Sequence, residues 1–120
     1  MLIGFSGSRR LHAHSCTEYV FPILKSLDLE KDIVVVGDAL GVDEAVRRWC
    51  SDNKFAHLVF YAHWSKFGKG AGPIRNSRMA PMIERLYAFP GPSSTGTVDM
   101  IKRCREFLDE SNIIQTLVPR

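Results

Sequence analysis

An α/β fold is the class this sequence predicts, and three observations lead there. Short apolar runs, rich in β-branched residues, recur at 2–5, 33–36, 58–61, 86–89 and 113–118. Stretches with apolar residues at helical spacing separate them. The residues that break both patterns, mostly glycines, hydroxyls and charges, directly follow the runs. Strands alternating with helices imply a parallel sheet joined by right-handed crossovers, a single Rossmann-like domain over residues 1–120. The expected sheet has five strands flanked by helices, in the order 3-2-1-4-5.

Each element has its own warrant. Leu2-Ile3-Gly4-Phe5 reads as the first strand, and Tyr19, Val20, Ile23, Leu24 and Leu27 then repeat at helical spacing. Ser15 and Glu18 have capping-box spacing at the start of that helix, with Pro22 complicating its first turns. Ile33-Val34-Val35-Val36 is β-branched throughout, as suits a strand buried on both faces. Val42, Ala45, Val46 and Trp49 form the next helical stripe. Leu58-Val59-Phe60-Tyr61 is the third strand, followed by a glycine-rich loop over 65–72. Pro73 fits the first position of a further helix, which Pro81 ends or kinks. The run 86–89 is the fourth strand. Val98, Ile101, Cys104, Phe107 and Leu108 mark the last long helix, and 113–118 the fifth strand.

Composition narrows the function classes. An apolar content of 45% and a charged content of 24% over 120 residues are those of one ordinary globular domain able to bury a core. No segment reaches transmembrane length, and the apolar opening is too short for a signal peptide, so no membrane association is expected. Cys16, Cys50 and Cys104 are an odd, scattered set without a C-x-x-C pair, which favours a reducing cytoplasm over a disulfide framework. The net charge of +3 permits anionic ligands but falls short of a nucleic-acid footprint. His12, His14 and Cys16 have no matching partner cluster, so no metal or cofactor is expected.

In sheets of this kind ligands bind outside the carboxyl ends of the strands, where the strand order reverses. The order 3-2-1-4-5 makes the first and fourth strands neighbours, and their loops the lips of one crevice. The order 2-1-3-4-5 would move the fourth loop away from it. That loop, Pro90-Gly91-Pro92-Ser93-Ser94-Thr95-Gly96-Thr97, is the strongest single feature. It presents backbone N–H groups and hydroxyls at the positive end of a helix dipole, with Gly91, Ser94, Thr95, Gly96 and Thr97 as phosphate-binding candidates.

Other candidates follow the remaining strands. Gly7, Ser8 and Arg9 form a turn that would aim N–H groups and the Ser8 hydroxyl at a phosphate, or a plain turn that uses Gly7 for its backbone angles. Asp38, Gly41 and Asp43 lie after the second strand. Asp43 and Asp38 could each accept from a ribose hydroxyl or merely favour a helix start. Trp64 could stack on a base or pack. Lys69, among glycines, suits a lid that closes over phosphates. Arg75 and Arg78 share a face near a helix start, where a bound anion would offset the opposing dipole, and Asn76 could read a base or ribose.

These segments carry a resemblance. Gly7-Ser8-Arg9, the stretch 37–43, Tyr61-Ala62-His63-Trp64, Phe67-Gly68-Lys69-Gly70-Ala71-Gly72-Pro73-Ile74-Arg75-Asn76 and the Phe-Pro-Gly…Gly-Thr loop occur in the order seen in one family. The chain resembles a small single-domain member of the SLOG superfamily, of the YspA-like branch, over residues 2 to about 101. That superfamily includes the Lonely Guy phosphoribohydrolases and the DNA-processing protein A domain. The resemblance implies a pocket for nucleotides or nucleotide-derived ligands, and relatives that commonly pair into homo-oligomers. The hydrolase branch carries P-G-G-x-G-T-x-x-E, in which Gly-Thr binds phosphate and Glu assists cleavage of the N-glycosidic bond. Gly96-Thr97 match here, but the Glu position is Met100, with Asp99 one residue before it.

The leading expectation is therefore a protein that binds a nucleotide-type small molecule, to sense or sequester it. An N-glycosidic phosphoribohydrolase with Asp99 or Asp43 as its acid is the alternative, and single-stranded DNA binding a second. Mild charge and the lack of clustered aromatics weigh against nucleic acid.

Overall fold

Strands β1 (Leu2–Gly7), β2 (Ile33–Gly37), β3 (His57–Phe60), β4 (Arg85–Phe89) and β5 (Ile113–Gln115) pair in parallel throughout, in the order β3-β2-β1-β4-β5. This is the expected order. It comes from a computed structural model that describes residues 1–91 and 94–119; Pro92 and Ser93 of the loop singled out above, and Arg120, lie outside the described residues.

The pleat sorts neighbouring side chains onto two cores. Val34 and Val36 face one side with Ile3 and Phe5, under Val20, Leu24, Val42, Val46 and Cys50. Val35 faces the other with Leu86, Ala88 and Ile113, under Met79, Met100, Ile101 and Cys104. Full burial of each aliphatic side chain contributes roughly 1.5–3 kcal/mol. A strand between two apolar layers must read as an unbroken apolar run, and β2 does.

The helices are α1 (Ala13–Ser15), α2 (Phe21–Ser26), α3 (Val42–Asp52), α4 (Trp64–Phe67), α5 (Ala71–Met79) and α6 (Thr95–Cys104). A π-helical turn, Cys16–Val20, joins α1 to α2, with the Phe21 N–H donating to the Cys16 carbonyl. In a regular α-helix the Pro22 ring would crowd the carbonyl four residues back, and the wider turn relieves that crowding. The helical segment thus begins at Ala13, after His12 and without a side-chain cap. Ser15 lies inside it, so the capping-box expectation is corrected.

Other boundaries move as well, and β5 ends at Gln115 rather than at 118. The stretch 65–72 is not an open loop but α4, a 3₁₀ turn (Gly68–Gly70) and the start of α5. Pro73 is therefore the third residue of α5, where a missing N–H still costs nothing because the first four have no intrahelical partner. Helix α6 starts at Thr95, three residues before the apolar stripe begins, and ends at Cys104. No helix among the described residues is long and apolar enough to cross a membrane.

A tight stitch holds two of the loops together. Gly41 has φ +72°, and a Cβ there would overlap the Ser8 carbonyl and the Arg9 backbone. The Val42 N–H donates to that same carbonyl at 3.2 Å. Replacing Gly41 by Ala should cost about 3 kcal/mol, read from the urea midpoint, whereas Ala at exposed Leu40 should change it by less than about 0.5 kcal/mol. Equal midpoints for the two variants would contradict the stitch.

Candidate functional site

At the carboxyl edge of the sheet, the loops after β1, β2 and β4 and the starts of α5 and α6 enclose a cleft of about 240 Å³. Arg75 and Thr97, far apart in the chain, both line it. So do Gly7, Arg9, Asp43, Trp64, Lys69, Ser94, Thr95, Gly96 and Asp99. Ser6, Ala39, Gly72 and Pro73 complete the wall and were not expected there; only a knowledge of strand order places them.

The first turn of α6 forms one end of the cleft. Thr95, Gly96 and Thr97 line it, and no acidic residue occupies that turn. Ser94 stands at the cap position but gives no side-chain cap; its Oγ instead accepts from the Gly91 N–H at 2.6 Å. The N–H groups of a helix start have no partner within the helix, and the dipole there is positive. Lys69, exposed on its short 3₁₀ turn, and Arg9, exposed on the loop after β1, face the same space.

Arg75 anchors the middle. Its Nη1 donates to Asp38 Oδ1 at 2.7 Å, and its Nε and Nη2 reach Asn76 Oδ1 at 3.4 and 3.3 Å. Asn76, 3% exposed, passes the chain on: its Nδ2 donates to the Gly96 carbonyl and to Asp99 Oδ2 at 3.1 and 3.0 Å. Asp99 also accepts from Arg103 Nε at 2.9 Å, one helical turn further on. A continuous polar chain thus runs from the end of β2, through α5, to the start of α6. Arg103 escaped notice, although its i,i+4 spacing from Asp99 was a readable signal.

Asp43 is the unusual carboxylate. It is 5% exposed, lines the cleft, and accepts one long hydrogen bond, from the Ala39 N–H at 3.3 Å. Gly37 leaves room for it: a Cβ there would lie 2.8 Å from Asp43 Oδ2 and 3.0 Å from Arg75 Cζ. Burial pushes its carboxyl up from 3.8 to about 6, against the opposing pull of Arg75, the Ala39 N–H and Arg47. Arg47 itself donates to the Gly37 and Ala39 carbonyls at 2.8 and 3.1 Å, holding the loop after β2 in place.

Several expected ligand contacts have other roles. Ser8 is buried outside the cleft lining, and its Oγ accepts from the Arg10 N–H at 3.1 Å, closing its own turn. Gly91 packs on that Ser8 side chain, and Gly41 on its carbonyl. Asp38 is occupied by Arg75 and by the Ala62 N–H at 3.2 Å. Asn76 is buried beneath the cleft wall. Arg78 is exposed and off the cleft, because α5 runs away from the carboxyl edge and carries it about 4.5 Å beyond Arg75. Asp99 is the fifth residue of α6, and its Oδ2 already holds two partners. Trp64 is half exposed, its ring edge against Gly72 at the mouth. Lys69 belongs to a 3₁₀ turn, not to the open glycine-rich loop expected.

Comparison with family models, curated proteins and solved structures returns no match for this chain.

The Asp43 environment has a pH signature. Its folded-state value exceeds its unfolded one, so the protonated form stabilises the fold fully below about pH 4 and loses that effect as pH rises through 6. About two units correspond to roughly 3 kcal/mol. Asp43→Asn should therefore gain on the wild type by up to about 3 kcal/mol between pH 4 and pH 7.5, followed by urea unfolding. Parallel profiles would contradict the assigned burial.

Proposed function

We propose that this protein binds a nucleotide or nucleotide-derived organic phosphate in the cleft, to sense or sequester it rather than to turn it over. The carrying observation is that the α6 start, Lys69 and Arg9 face one space, with Arg75 in its wall ion-paired to Asp38. Cations and a helix N-terminus converging on one hollow suit an anion. A half-exposed Trp64 at the mouth offers a flat apolar surface to a base.

Two features favour binding over hydrolysis. Met100 is buried in the core, so no acid stands at the position where the hydrolase pattern has Glu. Asp99 is engaged by Asn76 and Arg103, an arrangement that orients the helix start. We read the chain as a small SLOG-type protein of the YspA-like branch on the same grounds: its motifs lie around one crevice on a sheet ordered 3-2-1-4-5.

Isothermal calorimetry against mono-, di- and cyclic nucleotides tests the reading, with chromatography of the mixtures for free base. We expect saturable binding without product. Lys69→Ala should weaken it about tenfold while leaving the melting temperature within about 2 °C of wild type. No heat from any nucleotide, in protein shown to be free of ligand, would overturn it.

A further inference from the structure

The geometry points to Asp43 as the residue that reads a sugar hydroxyl, so that the cleft takes a phosphorylated ribose and not phosphate alone; this rests on the nucleotide reading above. Asp43 is 5% exposed yet lines the cleft, and its only hydrogen bond among the described residues is the long one from Ala39 to Oδ2. Oδ1 has none, and no fully buried side-chain oxygen among the described residues lacks a partner, so Oδ1 reaches the cleft surface. A carboxylate so poorly solvated gains most from a donor brought by the ligand. It repels a second anion.

The other two aspartates at this edge are ion-paired, to Arg75 and to Arg103. Asp38 holds Arg75 and the Ala62 N–H, and Asp99 holds Asn76 and Arg103. Of these three aspartates Asp43 is the one without an ion pair among the described residues, and it offers acceptor capacity from inside the cleft. Its distance from the anion end also fits. Asp43 stands in the first turn of α3, after β2, while the α6 start follows β4, and one strand, β1, separates them. The strands they follow, β2 and β4, lie two strand spacings, about 10 Å, apart, and both helix starts line the cleft. A pentose carrying a phosphate on its primary carbon bridges such a gap, with the phosphate at α6 and ring hydroxyls toward Asp43. Bare phosphate cannot reach both ends.

Calorimetry with the four ribonucleoside 5′-monophosphates and their 2′,3′-dideoxy counterparts decides this, on wild type and on Asp43→Asn. The wild type should bind the dideoxy forms about 10- to 100-fold more weakly, and the variant should narrow the gap to roughly threefold or less. As a readout independent of the variant, the Asp43 carboxyl ¹³C titration should move to lower pH on saturation with a ribonucleotide and stay put with its dideoxy form. Equal affinities in the wild type, a preference that survives in folded Asp43→Asn, or an unmoved titration would overturn the role of Asp43 and leave nucleotide binding standing. No binding of any of the eight compounds would overturn both.

Discussion

The guanidinium of Arg75 is the contact on which the carboxyl edge depends. Asp38 fixes it from the end of β2, and Asn76 ties it to the Gly96 carbonyl and Asp99 at the start of α6. A largely buried cation with one ionic partner and one amide partner is a rigid strut, because each group's desolvation is offset only in that geometry. Helices α5 and α6 are thereby held at a set distance from β2. The cleft between them exists because the strut spans it.

A design of this kind divides labour between residues that look alike in a sequence. Asp38, Asp43 and Asp99 all follow the carboxyl edge, yet two are ion-paired struts and one lies buried against the hollow without an ion pair among the described residues. Arg75 and Arg103 are similarly internal, while Arg9 and Lys69 are the exposed cations of the wall. The positive character of the hollow comes from Arg9, Lys69 and the helix start, and buried Asp43 gives its wall an acceptor.

Much of the architecture was legible in the sequence. Strong apolar runs such as Val34-Val35-Val36 admit one reading, and the glycines and hydroxyls after them locate the carboxyl edge once the strand order is right. Boundaries were lost where local propensity is weak. Thr95, Gly96 and Thr97 are poor helix formers, so α6 declares itself in sequence only from Val98 onward. The π turn before Pro22 has no sequence period of its own. Of the site, the loop, Arg9, Lys69, Arg75 and Asp43 could be found because they follow strands. That Ser8 turns inward, or that Asp99 and not Asp43 takes an ion pair, depends on burial and three-dimensional pairing that spacing does not encode.

Amide shifts of the ¹⁵N-labelled protein during titration with adenosine 5′-monophosphate test the central claim most directly. Binding in this cleft should move the Thr95, Gly96 and Thr97 amides and the Trp64 indole together and saturably, with the helical face around Trp49 silent. Shifts centred instead on the second hollow, which Leu11, Phe21, Ala45 and Trp49 line, or no shifts at millimolar ligand, would contradict it.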